Sequence, residues 1–351
     1  MLTKKVTFIS AQPDVPYFYW QVEVMIHNFI KVGINPNWIE VIWATTGKPS
    51  LELTALANKY PYVRFFSYPK TVKDNFGYIP VLRPDVLEQH FAAFPNLRGE
   101  TIFYHDSDII FRQLPNFDSL NNDLFWYFSD TISYIGADYI RSKGEDLFLE
   151  MCRIVKIEPE LAKANQSNSG GAQHLMKGLT TEYWKNVKQD SLALYKFMAN
   201  RESAERVKMA QEIAEEKQKL SAEITNSNVP LTEDWINAKM LEIDKRLTDY
   251  NPVQKWCADM WAVLWNGIKI GAQPRISNEL SFSWGTSSIE DYEKHNIMHN
   301  AGITSSENGT LFYKGDFINS DPFSTDFSKI KMGSASGKYV EAILYAKEKR
   351  L

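Results

Sequence analysis

Cysteine is scarce. Only Cys152 and Cys257 occur in 351 residues, which excludes a disulfide framework and a cysteine-rich zinc site. A reducing compartment is the simpler expectation, with a single bridge as the alternative. Long hydrophobic runs are missing too. None approaches the roughly 20 residues that a membrane-spanning helix needs, and Met1-Leu2-Thr3-Lys4-Lys5 leads into a strand without a signal-peptide pattern. A soluble, cytoplasmic chain with no membrane span is expected. There is no excess of positive charge, the net charge being −4, which argues against a protein held on nucleic acid mainly by phosphate contacts. Finally, no GxGxxG follows the first strand and no GxxxxGK[ST] occurs anywhere, so the usual dinucleotide and P-loop grips on phosphate are excluded.

What is present is ample apolar material, 44% of residues, and many aromatics: 10 Trp, 17 Tyr and 20 Phe. Aromatics suit stacking on a flat base or a sugar face, although large cores also consume them. The length fits one large domain or two intimately joined ones. The first third alternates strand and helix signals. Strands are predicted at 6–9, 39–43, 63–67 and 101–111, and helices at 19–32, 51–60 and 81–91. The first helix carries Val22, Met25, Ile26, Phe29 and Ile30 on one face. This alternation predicts parallel βαβ units in a mostly parallel sheet, with ligands beyond the carboxyl ends of its strands.

The second half mixes a strand at 124–128, a helix at 145–155 and a polar loop at 164–173. In that loop Gly170 and Gly171 either let the backbone approach a ligand or mark a plain surface turn. Between 190 and 250 the chain becomes highly charged, with Glu202/Arg206 and Glu215/Lys219 at i,i+4 spacing. A turn is predicted at 226–230. Thr232 then caps a second helix whose stripe is Ile236, Met240, Ile243 and Leu247. We read 190–249 as an inserted helical hairpin that docks a partner, mediates oligomer contacts or simply decorates the fold; the oligomeric state is open.

The run from Thr101 to Phe111 is apolar apart from His105 and the Asp106-Ser107-Asp108 motif. On a strand of period two both carboxylates project to one side. Two such charges are costly beside apolar strands unless a cation lies between them. A divalent ion with hard oxygen preference fits, and it would in turn bind phosphate; a solvated turn is the alternative. Asp259 is the one charge in an aromatic helix at 256–265. It is read as an acid in the first turn at a helix N-terminus, as paired to an arginine such as Arg275, or as a group that binds an acceptor hydroxyl or takes its proton. His299, before an Asn-Ala-Gly turn, is a candidate third metal ligand, and Lys314 a cation for a diphosphate.

In this order, the βαβ half, the Asp106-Ser107-Asp108 strand, the loop from Asn168 to Gln173 and the late His299 with Lys314 resemble a GT-A-fold glycosyltransferase. The 299–314 segment resembles the His…Gly…Lys tail of retaining enzymes related to glycogenin and the bacterial lipooligosaccharide galactosyltransferases, with a longer spacing and no Pro-Trp after the lysine. Tyr19-Trp20-Gln21 and the 256–265 helix resemble plant hydroxyproline arabinosyltransferases and peptidyl serine galactosyltransferases, whose acidic residue matches Asp259. The resemblance spans most of the chain outside the hairpin.

It implies an α/β, GT-A-like, Rossmann-type, mostly parallel sheet flanked by helices, with the hairpin inserted. Residues 1–120 would form the nucleotide-sugar half, 121–189 and 250–320 the acceptor and catalytic half, and 321–351 a C-terminal segment. Asp106 and Asp108 would bind Mn²⁺ or Mg²⁺ and through it the donor diphosphate, with His299 completing the shell. Ser107 would share the donor site. Arg83 would reach the diphosphate or the sugar, and Lys314 the leaving group. Asn168 and Gln173 would flank the anomeric carbon, near Gly170 and Gly171. Ser10, Ala11 and Gln12 would meet the base and ribose. The implied reaction moves a sugar from a nucleoside diphosphate sugar, a UDP-sugar by expectation, to an acceptor hydroxyl on a glycan, a protein side chain, a small metabolite or a modified base. The His…Lys tail favours retention of configuration; inversion would make Asp259 the base. The alternatives are a metal-dependent sugar nucleotidyltransferase, whose Gly-rich basic loop is absent from residues 10–14, and a non-enzymatic carbohydrate-binding module.

Overall fold

In the computed structural model, which describes residues 2, 4–120, 124–226, 232–307 and 309–350, the first third builds the expected βα alternation. β1 (Thr7–Pro13), α1 (Pro16–Lys31), β2 (Ile39–Thr45), α2 (Leu51–Lys59), β3 (Arg64–Pro69), α3 (Leu82–Ala93) and β4 (Ile102–Tyr104) follow one another. β1 pairs in parallel with β2 and β4, and β2 with β3. β1 and β2 are buried almost without interruption, as in strands covered by helices on both faces. Pro16 opens α1, where its missing N–H costs nothing. The Ser50 hydroxyl caps α2, accepting from the Leu53 amide at 3.0 Å. On α1, Val22, Met25, Ile26 and Phe29 are fully buried; Ile30, expected on the same face, is exposed.

The 101–111 run is two strands, a correction to the single one expected. The chain leaves the large sheet after Tyr104 and re-enters as β5 (Ile109–Phe111) in a second sheet. Asp106 and Asp108 therefore sit on the connection between two sheets, and a turn, not strand alternation, brings them together. Then come β6 (Phe125–Asp130), the short helices α4 (Ile132–Ile135) and α5 (Ala137–Lys143), α6 (Glu145–Val155) and α7 (Pro159–Ala164). β7 (Gly170–Met176) occupies what was expected to be loop.

The long helix α8 (Thr181–Asn226) and α9 (Glu233–Thr248) form the hairpin. Only the outer part of α8 protrudes. Tyr183, Trp184, Val187, Leu194, Tyr195 and Met198 belong to the main core, whereas Ile213 and Leu220 join Ile243 in a small separate cluster. Thr232 caps α9 as expected, Ile236 and Met240 are half-buried, and Leu247 is exposed. Beyond Asn226, the turn expected at 226–230 lies outside the described residues.

The chain ends with α10 (Ala258–Lys269), β8 (Gln273–Ile276), β9 (Phe282–Trp284), α11 (Ile289–Lys294), β10 (Ile297–His299) and α12 (Ala335–Arg350). The seven-stranded sheet has the order β3-β2-β1-β4-β7-β6-β8. β7 is antiparallel to both its neighbours, and every other pair is parallel. The second sheet is β5-β10-β9. This is the mostly parallel, helix-flanked α/β architecture expected from the sequence. Apolar cores fill both faces of the large sheet, and a third joins α12 to α1 through Trp20, Val24, Tyr339, Val340 and Ile343. Both cysteines are free and buried. Among the described residues no helix is long and apolar enough to cross a membrane.

Candidate functional site

At the carboxyl ends of β1 and β4, where α/β sheets place ligands, one cavity of about 270 Å³ gathers side chains from five parts of the chain. β1 gives Ala11, and α1 gives Tyr17, Phe18 and Gln21. α3 gives Arg83. The β4–β5 connection gives Asp106, Ser107 and Asp108. β10 and the residues after it give His299, Ala301 and Lys314. Asp106, Asp108 and His299 each offer a ligand atom, all within 4.8 Å of one another. His299 Nε2 stands 3.4 Å from Asp106 Oδ2 and 3.2 Å from Asp108 Oδ1. Two carboxylates and an imidazole suit a divalent ion such as Mn²⁺, which accepts oxygen and nitrogen donors.

Two further cations face these acids. Arg83 Nη1 lies 2.7 Å from Asp106 Oδ1 and 3.6 Å from Asp259 Oδ2. The Lys314 ammonium donates to Asp108 Oδ2. The pairing is required, because Asp108 is only 4% exposed and an unpaired charge there would be expensive. Burial pushes the Asp108 carboxyl up, but Lys314 and then His299 overcome it and hold the group well below the usual carboxylate range. Burial works against the charge on Arg83, and Asp106, Tyr104 and Asp259 reverse it. Burial likewise opposes the charge on Lys314, and Asp108 more than offsets it. For Asp259 burial wins and pushes its carboxyl up, against Arg83. Asp259 also accepts from the Tyr78 hydroxyl at 3.0 Å. Its cation is therefore Arg83. Arg275, the expected partner, lies over the Phe125 ring instead.

The orientation of His299 is set from behind. The Ser129 hydroxyl has one proton but two acceptors in range, Gln173 Oε1 at 2.5 Å and the Leu280 carbonyl at 2.7 Å. A carbonyl can only accept, so the proton goes to Leu280 and the Gln173 amide must turn its NH₂ toward Ser129. Gln173 Oε1 then faces His299 Nδ1, with which this amide lies in contact at 3.4 Å, and accepts its N–H. That leaves the Nε2 lone pair toward the two carboxylates, the tautomer a metal ligand needs. A bulge in β7 makes this contact. The register with β6 shifts between Phe128 and Ser129, and Ala172 takes a left-handed φ of 63°. Bulges of this kind re-aim side chains beside functional sites.

Several expected donor contacts are placed otherwise. Ala11 and Ser107 line the cavity, but Ser10 and Gln12, on the opposite face of β1, are buried in the sheet, and Gln12 Nε2 donates to the Ile42 carbonyl at 3.1 Å. Gln173 is fully buried behind His299 and does not line the cavity. Asn168 does not line the cavity; its Oδ1 accepts from the Ile276 amide at 3.3 Å. The space beside Gly170 is taken by Phe128 and Ile276, and that beside Gly171 by Met260; a Cβ would come within 2.2 Å of an atom at either position. These glycines thus serve close packing between elements, not approach to a ligand. Sequence reasoning missed Tyr17, Phe18, Gln21 and Ala301. The first three open the helix after β1, where the carboxyl-end rule that singled out residues 10–12 also points.

No family model and no curated relative matches the sequence. Among solved structures the chain is similar to the apo form of WbbM, a bifunctional glycosyltransferase, at 10% identity and TM-score 0.45, over 98% of this chain and 50% of that one. It therefore spans half the length of that protein. It is also similar to the galactosyltransferase LgtC in complex with donor and acceptor sugar analogues, at 12% identity and TM-score 0.41, over 96% of this chain and 94% of that one. A third similarity is to apo mouse xyloside xylosyltransferase 1, at 8% identity and TM-score 0.36, over 86% of this chain and 99% of that one. Likeness at this level assigns no residue a role.

Proposed function

We propose that this chain is a metal-dependent glycosyltransferase, moving a sugar from a nucleoside diphosphate sugar, in the first place a UDP-sugar, to an acceptor hydroxyl. The observation that carries the reading is the convergence of Asp106, Asp108 and His299 within 4.8 Å, in one cavity with Arg83 and Lys314. Asp106, Asp108 and His299 would hold Mn²⁺ or Mg²⁺, which when bound supplies positive charge to the diphosphate as its bond to the sugar breaks. Arg83 and Lys314 flank the same acids and are the donors available to diphosphate oxygens. Residues 1–120 form the nucleotide-sugar-binding half, 121–189 and 250–320 the acceptor-binding and catalytic half, which also brings His299 and Lys314 to the donor, and 190–249 is an inserted helical hairpin.

Among the described residues lining the cavity, the only carboxylates are Asp106 and Asp108, both committed to cations. Asp259 is 9% exposed and holds Arg83 in place. With no free carboxylate base, the leaving diphosphate is the natural acceptor of the hydroxyl proton, which favours retention of configuration. The test is thermal stabilisation by UDP with and without Mn²⁺. Stabilisation that needs Mn²⁺ and disappears in Asp106→Ala and Asp108→Ala is the expected result; UDP binding indifferent to metal and to both substitutions would remove the reading. A screen of UDP-, GDP- and CDP-sugars for Mn²⁺-dependent hydrolysis then identifies the donor.

A further inference from the structure

We infer that a second cavity, on the other side of α1, binds a small organic anion: a carboxylate or phosphate head on an apolar body. The cavity measures about 490 Å³ and shares no lining residue with the one that holds Asp106 and Asp108. Helix α1 divides the two. Tyr17, Phe18 and Gln21 line the first, whereas Pro16, Tyr19, Trp20 and Glu23 line the second. A further wall comes from α2, and Asn319 to Asp321 with Arg350 of α12 complete the lining. The Trp20 indole N–H donates to the Phe317 carbonyl at 3.4 Å, which ties the segment before Asn319 to α1. The sugar transfer proposed above makes no use of this cavity.

The head group is selected by where hydrogen-bonding capacity is left over. Glu23 is 2% exposed, and a carboxylate so deeply buried must be paired. Its Oε1 accepts from the Lys59 ammonium and from the Tyr60 hydroxyl, the latter at 2.6 Å, and its Oε2 pairs with Arg350 Nε at 3.0 Å. A single negative charge thus holds both cations of the cavity. Of the other acids in the lining, Asp321 stands 3.5 Å from Arg350 Nη1, and Glu52 is exposed in the first turn of α2. The surplus therefore lies in donors. An ammonium and a guanidinium each carry more N–H groups than these contacts use, and neither can accept. An oxyanion is the group that takes such donors, through charge-assisted hydrogen bonds. Arg350 is already fixed for the task, its guanidinium lying 3.9 Å from the centroid of the Phe323 ring. The body of the ligand is selected by the remaining walls. Pro16, Trp20, Ala55 and Leu56 are apolar, and the Tyr19 hydroxyl is spent on Asp14, to which it donates at 2.6 Å. Apolar walls with a few placed polar groups, in a cavity of this volume, are what a small-molecule site requires.

The experiment is calorimetric titration of the protein, without nucleotide or metal, with phenyl phosphate, benzoate, benzyl alcohol and benzylammonium. These share a ring and differ in the head. At least one of the two anions is expected to bind saturably, with the neutral and cationic compounds about tenfold weaker or more. Lys59→Met removes a donor, and Ala55→Trp fills the cavity from an exposed position without touching a charge. Each is expected to weaken anion binding about tenfold or more. A urea midpoint near that of the parent shows that a variant is folded, and if Lys59→Met is not, Ala55→Trp decides. Lys314→Met, which alters only the first cavity, is expected to leave anion binding unchanged. Anion binding that is absent, that is matched by the alcohol or the ammonium, that is unchanged in a folded Lys59→Met or in Ala55→Trp, or that is lost in Lys314→Met would overturn the inference. None of these outcomes depends on UDP or Mn²⁺, so this site and the proposed transfer stand or fall separately.

Discussion

At the scale of single residues the site is a balance of charges. Asp106, Asp108 and Asp259 face Arg83 and Lys314, with the His299 imidazole beside the first two, and Asp108 and Asp259 are buried deeply enough to need a partner. The first two acids were legible because they stand in one short motif, and His299 and Lys314 because they follow in the order the resemblance requires. Gln173 was legible as a polar group near the chemistry but not in its place, since a hydrogen bond to the far nitrogen of a histidine leaves no mark on spacing. That bond has a measurable consequence. Gln173→Leu removes the acceptor that fixes the His299 tautomer, and Mn²⁺ affinity is expected to fall about 10–100-fold, the usual effect of losing such a partner. Calorimetry with Mn²⁺ reads this directly; unchanged affinity would mean that Gln173 does not orient the ligand. Tyr17 and Gln21 were missed because an amphipathic pattern tells which face of α1 is buried and says little about which residues of its first two turns overlook a cavity.

At the scale of elements, two irregularities position the site. The break between β4 and β5 carries the Asp106–Asp108 turn from one sheet to the other. It was invisible in the sequence because both flanking segments are apolar; which sheet each joins is decided by β10, which lies far along the chain. The bulge in β7 was invisible for a related reason. Its left-handed residue is Ala172, where glycine would have been the usual signal. Ala172→Val sets a β-branched side chain in that conformation and is expected to cost roughly 1–3 kcal/mol, read as a lowered urea midpoint, with weaker Mn²⁺ binding because Gln173 shifts. Ala172→Gly is expected to keep both, and equal stability of all three proteins would show that the bulge is unstrained. α8 illustrates the opposite limit. With no breaker between Thr181 and Asn226, nothing in the sequence separates its core-packed start from its protruding end.

At the scale of the whole molecule, the parallel pairing of β1 to β4 followed from the alternation of strands and helices, and their order in the sheet did not. The antiparallel β7, the second sheet and the packing of α12 on α1 depend on long-range pairing and did not. Burial across the large sheet also sets how the molecule responds to acid. His174, fully enclosed in β7, is pushed down from 6.5 to about 4, and His105 likewise to about 4. Both stay neutral in the fold, while the unfolded chain takes up their protons near 6.5. Their contribution is therefore complete above pH 6.5 and is lost as the pH falls toward 4, about 3 kcal/mol for His174. Urea unfolding between pH 7.5 and 4.5 should show this decline, with a shallower slope in His174→Phe; an identical slope would contradict it. The most direct measurement for the account as a whole is anomalous diffraction at the manganese edge from crystals grown with Mn²⁺ and UDP. A single peak within bonding distance of the Asp106 and Asp108 carboxylates and His299 Nε2, touching the diphosphate, is the expected result. Nucleotide bound with no peak there, or manganese held elsewhere in the molecule, would contradict it.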